Sequence, residues 1–162
     1  MKRLLSILLL VMFVPLYSFS ISLNDIENNP SRYIKQNSPT RTSPNVGYID
    51  IESINAYSDF SSYKIIEYTS YIVNYNRIEI YDYKNTVVFD DRFSTFSESK
   101  TTASEYGIYL RIANGFGYDF SGTPLTYKMN SIMYDVRMDS LLIKEILYAY
   151  KHYYHHDYIK KF

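Results

Sequence analysis

Residues 63–91, "YKIIEYTSYIVNYNRIEIYDYKNTVVFDD", constrain the fold more than any other part of the chain. They are dense in β-branched and aromatic residues on both sides of a polar "NYNR", and such residues favour the pleated, half-buried surface of a strand. The pattern predicts an antiparallel hairpin. With its turn centred between Tyr75 and Asn76, Val73 faces Ile78, Tyr71 faces Ile80, Thr69 faces Asp82, Glu67 faces Lys84 and Ile65 faces Thr86, so that opposite charges meet. Asn76 suits the left-handed backbone of a tight turn. Successive side chains alternate between faces. The other surface therefore carries Ile66, Tyr68, Ile72, Tyr81, Tyr83, Val87 and Phe89, and this apolar set is the expected core face.

Two strands cannot hide that face by themselves. The partner is expected in "DSLLIKEILYAYKHYYHH", where Asp139 or Ser140 accepts the free N–H groups of a first helical turn. Leu142, Ile143, Ile146, Leu147, Ala149, Tyr150, Tyr153 and Tyr154 fall on one stripe of a 3.6-residue wheel, with Lys144, Glu145, Tyr148 and Lys151 outside it. Shorter strands are expected at 46–51, followed by a loop at 56–63, and at 108–113, ended by a bend at Gly115 and Gly117. A small edge hairpin follows in "YDFSGTPLTYKM", turning through Ser121, Gly122, Thr123 and Pro124. Residues 92–107 read as a polar connection. The expected fold class is α+β: an antiparallel, tyrosine-rich meander sheet of about four to six strands, with a C-terminal helix packed on one face.

Upstream, "MKRLLSILLLVMFVPLYSFS" has Lys2 and Arg3, an apolar run and small residues at Ser18 and Ser20, the pattern of a signal peptide spanning 1–20. The apolar run is about thirteen residues, shorter than the roughly 20 a spanning helix requires. Residues 21–45, with several prolines and few apolar side chains, read as a polar linker or irregular lead-in, although 25–29 would fit a single helical turn. One folded domain is expected from 46 to 162. With no cysteine it must be stable by burial alone. Removing Lys2 and Arg3 from 17 basic residues leaves two fewer than the 17 acidic ones. That balance argues against nucleic acid or an anionic membrane as partner. The mature chain is expected to lack a transmembrane segment and to work outside the cytoplasm: secreted, periplasmic or on the cell surface.

Chemistry is sparse. All three histidines lie in "KHYYHHDY", residues 151–158. On a continuing helix His152 and His156 are four residues apart, the spacing two imidazoles need to share a metal. A third ligand would have to be Glu145 or come from a strand, while Asp157 points elsewhere. The adopted reading is that Lys151, His152, His155, His156, Lys160 and Lys161 complement the partial negative charge at a helix C-terminus, with no metal and no cofactor. Asp90 and Asp91 are adjacent acids without a third ligand at calcium-loop spacing and read as a solvated turn. Glu67, Glu79, Asp82 and Asp119 are catalytic candidates by residue type alone, and no G-x-S-x-G turn exists. No catalytic residue is assigned.

Tyrosine, at 20 of 162 residues, fills sheet faces when buried and gives an adhesive surface when exposed. The phrase "GYIDIESI", the tyrosine-rich strand pair, the "YDFSGTPL" hairpin and a terminal helix ending in aromatics together resemble small uncharacterised secreted proteins of Gram-positive-related anaerobic bacteria. More distantly, the segment 46–154 is similar to the surface-adhesin protein E domain, which carries cysteines where this chain has none. The resemblance implies a surface or envelope binding domain whose partner is a host or envelope protein or a surface polymer. The expected function is an exported, non-enzymatic binding or adhesion-type domain. The alternative is a small exported metal-binding protein or enzyme that uses the C-terminal histidines.

Overall fold

The computed structural model describes residues 20–38, 43–60, 62–129 and 132–159. The expected signal peptide, apart from Ser20, lies outside them. The chain forms a helix α1 (Leu23–Glu27), strands β1 (Tyr33–Lys35), β2 (Asn45–Phe60), β3 (Tyr63–Asn74), β4 (Glu79–Asp90), β5 (Ile108–Asp119), β6 (Pro124–Met129) and β7 (Ile132–Tyr134), and a C-terminal helix α2 (Leu141–Tyr154). All seven strands belong to one antiparallel sheet ordered β1-β2-β3-β4-β5-β6, and the short β7 pairs with β5. The α+β meander with its terminal helix is the fold of the protein. No helix among the described residues is long and apolar enough to cross a membrane.

The β3–β4 hairpin forms with a register two residues away from the expected one. Val73 pairs with Ile80, Glu67 with Thr86 and Ile65 with Val88. The cause lies in the turn, which is longer than the sequence suggested. Asn74 Oδ1 accepts from the N–H groups of Asn76 and Arg77 at 3.1 and 3.0 Å, and Ile78, at φ 59°, takes the left-handed position expected of Asn76. Glu67 therefore meets the Thr86 hydroxyl, 3.1 Å away, and not Lys84. A shift of two preserves the faces. Ile66, Tyr68, Val87 and Phe89 are buried on the inner face, as the alternation predicted.

Strand β2 is longer than expected and absorbs most of the stretch read as a loop. Its pairing with β3 slips between Asp50 and Asn55. There the Ser53 hydroxyl donates to the Asp50 carbonyl at 2.6 Å and accepts from the Thr69 N–H at 2.8 Å, filling the gap in the ladder. Likewise β5 runs through Gly115 and Gly117 without a bend. A bulge between the Asp82–Phe116 and Lys84–Ala113 pairs takes up the irregularity, and the Asp82 carboxylate accepts from the Phe116 N–H at 2.6 Å.

Ser140 caps α2, its hydroxyl accepting from the Ile143 N–H at 3.2 Å. The helix lays Ile143, Ile146, Ala149 and Tyr150 on the inner face of the sheet, where the rings of Phe89, Tyr150 and Tyr158 pack 4.7–5.2 Å apart. The wheel placed two residues differently. Glu145 is buried, and Tyr153, in the last turn, is 41% exposed.

Residues 21–38 are ordered elements of the fold, in contrast to the irregular lead-in expected of them. Ser22 and Asp25 form a capping box at α1, with reciprocal hydrogen bonds of 3.1 and 3.0 Å. Ile21, Ile26 and Tyr33 then cover Val46, Val73 and Ile80 in a second core on the opposite face of the sheet. Leu23, the other apolar residue of α1, packs half-buried against the same core. The outer face is thus closed at the β3–β4 turn and open toward the other end of the strands.

Candidate functional site

The inner face of the hairpin has two interruptions. The series Ile66, Tyr68, Ser70, Ile72 on β3 and Tyr81, Tyr83, Asn85, Val87 on β4 are apolar or aromatic except at Ser70 and Asn85. Asn85 lies opposite Tyr68 in the register, and its Nδ2 donates to Ser70 Oγ at 2.8 Å and to the Tyr83 carbonyl at 3.3 Å. Glu145 descends onto this polar spot from α2. Tyr68, Ser70, Asn85 and Glu145 are 2%, 5%, 1% and 8% exposed. A four-residue polar cluster therefore sits inside an otherwise apolar core.

Three atoms of this cluster make no hydrogen bond: Tyr68 Oη, Asn85 Oδ1 and Glu145 Oε1. The Tyr83 carbonyl fixes the orientation of the Asn85 amide, because it accepts from Nδ2 and would repel Oδ1. Leaving buried polar atoms unpaired is costly, on the order of 1–3 kcal/mol each. Burial pushes the Glu145 carboxyl up to about 7, while the nearby Ser70 and Tyr68 hydroxyls pull it in the other direction. Tyr68 Oη thus lies close enough to the Glu145 carboxyl to bias that titration. Its own phenol is held well above the usual range, by burial first and by the Glu145 charge second.

Ser70, Asn85 and Glu145 are among the polar residues that line a pocket of about 440 Å³ between the sheet and the start of α2. Ile72, Ile112, Leu141 and Leu142 give it apolar walls, and Gln36, Asn37 and Asn45 stand on the opposite side. That side is held in shape by Asn37, whose Nδ2 donates to the Asn45 carbonyl at 2.9 Å and whose Oδ1 accepts from the Gly47 N–H at 2.6 Å. An apolar cavity with a few convergent polar groups and a displaced carboxyl titration is the usual form of a small-molecule site. Sequence reasoning missed it because Glu145 was assigned to the solvated side of its helix. The two polar gaps in the hairpin's apolar series were the available signal.

The residues singled out in the sequence do not converge. α2 ends at Tyr154, and His155, at φ 60°, turns the chain in a left-handed cap. His156 therefore leaves the helix, and the four-residue spacing with His152 no longer places both rings on one helical face. The His152 ring stacks on Tyr148, 6.1 Å between centroids, and His156 lies 5.4 Å from the Tyr150 ring. Among the described residues no three His, Asp or Glu side chains are grouped to hold a metal ion. Asp90, expected in a solvated turn, is 3% exposed and accepts from Arg92 Nε at 2.9 Å and Nη2 at 2.7 Å, a contact that holds its carboxyl below the usual range. Asp91 pairs instead with Lys64 at 2.9 Å. Glu79 and Asp119 face each other at the ends of β4 and β5, but Glu79 accepts from the Tyr81 hydroxyl and Asp119 closes a turn through the N–H groups of Ser121 and Thr123. Glu67 and Asp82 are engaged by Thr86 and by the Phe116 N–H, as described above.

A second surface lies on the open part of the outer face. Tyr57, Ile65, Val88 and Tyr109 stand in one cross-strand row over β2, β3, β4 and β5. Tyr63, two residues from Ile65 along β3, lies next to the row, and its hydroxyl accepts from the Arg92 guanidinium. Tyr57, Tyr63 and Tyr109 are 50%, 39% and 42% exposed. No protein family matches the chain, and no curated protein or solved structure matches it either. The geometry alone therefore carries the functional argument.

Proposed function

We propose that the protein is a non-enzymatic binding domain working outside the cytoplasm, and that it holds a small, mostly apolar ligand in the pocket beneath α2. The observation that carries this reading is the pair of unbonded, buried acceptors, Asn85 Oδ1 and Glu145 Oε1, on residues lining an apolar cavity. Residues 1–20, read as a signal peptide, support the location. The neutral dye N-phenyl-1-naphthylamine tests the pocket. Its fluorescence should rise saturably with the wild-type protein and stay flat with Leu142→Trp, which fills the cavity, while Tyr57→Ser behaves as wild type. A dye signal indifferent to Leu142→Trp would refute the reading.

The tyrosine row favours a second, macromolecular reading, the adhesion-type function expected from the sequence. Exposed tyrosines offer large apolar area and a hydroxyl at little cost in side-chain entropy, which suits a protein partner. Tyr57→Ser with Tyr109→Ser should then abolish adhesion to a protein-coated surface while leaving dye binding intact. Adhesion unchanged by the double substitution would count against it.

A further inference from the structure

We infer that the pocket selects a primary amine with an apolar body, its ammonium group seated against Asn85 Oδ1 and Glu145 Oε1. This inference rests on the pocket reading above and adds the chemistry of the ligand. Both oxygens accept hydrogen bonds and neither has a donor. Among the described residues the lining contains one carboxylate and no Lys, Arg or His, so its charge meets no counter-ion among them. An ammonium group supplies what is missing: a compact positive charge and three N–H donors. Beyond the polar end, Ile72, Ile112 and Leu142 offer hydrocarbon contact and nothing to hydrogen-bond through their side chains. The other polar side chains of the lining, Gln36, Asn37, Ser43 and Asn45, are uncharged, so a second charged end on the ligand would meet no counter-charge among the described residues.

The groups around Glu145 make the carboxylate respond to such a ligand. Tyr68 and Ser70 from β3 and Tyr83 and Asn85 from β4 stand with it, Leu141 and Leu142 accompany it on α2, and Gln36, Asn37 and Asn45 complete the site. Apart from Glu145 only the tyrosines among them are titratable, and burial holds the Tyr68 phenol well above its usual range. Burial raises the carboxyl to about 7. A cation seated beside it favours the charged form and lowers that value. Near neutral pH, amine binding therefore releases a proton from Glu145.

Calorimetry of the mature chain with n-hexylamine and hexan-1-ol, at pH 8 in a buffer free of primary amines, tests the inference. Hexylamine is expected to bind at least tenfold more tightly than hexanol. Glu145→Gln, which keeps shape and volume, should lose at least tenfold in hexylamine affinity and retain its affinity for hexanol. Equal binding of the two compounds to the wild-type protein, or undiminished amine affinity in Glu145→Gln, would overturn the amine assignment and leave the pocket reading standing. Binding of neither compound would remove both. An independent measurement is the carbon-13 titration of the Glu145 carboxyl in the wild-type protein. Saturating hexylamine should lower its midpoint by at least one pH unit, and an unmoved midpoint refutes the ion pair even if the variant fails to fold.

Discussion

Arg32 grips Asp50 side-on, with Nε 2.9 Å from Oδ1 and Nη2 2.7 Å from Oδ2. This two-pronged contact joins the residue preceding β1 to the middle of β2. The Asp50 side chain is 3% exposed whereas Arg32 is 41% exposed, so the acid depends on the pair more than the base does. Arg32→Ala leaves a buried carboxylate with one remaining donor, the Glu52 N–H at 3.2 Å. The expected loss of stability is roughly 2–3 kcal/mol by urea unfolding, below the full value for a sealed ion pair because water reaches the Arg32 side. Arg32→Lys should recover about half, since an ammonium group cannot reproduce the planar fork. A change under about 0.5 kcal/mol in the alanine variant, the range of ordinary surface substitutions, would mean the contact is ornamental.

Ile26 is the sole buried residue of α1, 1% exposed. Its helix is further tied down by the Leu23 N–H, which donates to the Phe120 carbonyl at 3.1 Å, and by Glu27, which accepts from the Tyr75 hydroxyl at 2.9 Å. Ile26→Ala should cost about 2–4 kcal/mol, as for other buried isoleucines. A flexible tether would register almost nothing. Comparing the unfolding midpoints of the variant and the parent decides whether residues 21–38 belong to the cooperative unit.

The parts legible in the sequence were those where a period repeats many times. Alternation along β3 and β4 identified the inner face even though the pairing was misjudged by two, since the turn depended on a single side chain, Asn74, that no periodicity announces. α2 was legible for the same reason, with its cap at Ser140. A single turn at 25–29 was legible and overlaps α1, but its docking was not, because the partners of Ile26 and Tyr33, Val73 and Ile80, are some fifty positions away. Glu145 was assigned to solvent because a hydropathy wheel has no means of recognising a carboxylate that faces Ser70 and Asn85 across a core. The histidines failed as a site for a local reason: the chain reverses at His155, one residue before the second ligand.

Tyr158 anchors the segment beyond α2. Its hydroxyl lies 2.6 Å from the Asp90 carbonyl and 2.7 Å from the Tyr106 carbonyl, joining the end of β4 to the turn that precedes β5. Its ring is fixed against Phe89 and Tyr150, so Tyr158→Phe should preserve packing and remove only the donor. The expected cost is about 1–2 kcal/mol. Gly107 adjoins this junction at φ 71°, where an added Cβ would stand 2.8 Å from the Asp90 carbonyl oxygen. Gly107→Ala should therefore destabilise at least as much as Tyr158→Phe, by steric conflict and left-handed strain together. Thermal unfolding of the two variants in parallel checks both the size and the order.

The buried carboxyl of Glu145, raised like that of Asp82 by burial, gives the protein a pH response opposite in sign to that of the acids shifted downward. In the unfolded chain the group titrates near 4.5, and in the folded chain it is raised to about 7. Between these values the folded state keeps a proton that the unfolded state has released, so stability falls as pH rises through this window and levels off above it. The total is on the order of 3 kcal/mol. Asp25, Asp90 and Asp119 are shifted downward, by the Ser22, Arg92 and Ser121 contacts respectively, and the stability they add disappears only as pH drops below about 4. The two effects occupy different ranges and can be separated. Glu145→Gln should match the wild type near pH 4.5 and exceed it increasingly toward pH 8, while keeping the acid-side loss due to the aspartates. Urea midpoints measured from pH 4 to 8 give the comparison directly. Parallel curves for the two proteins would show that Glu145 is solvated in the fold, and would remove the physical basis of the pocket's polar end.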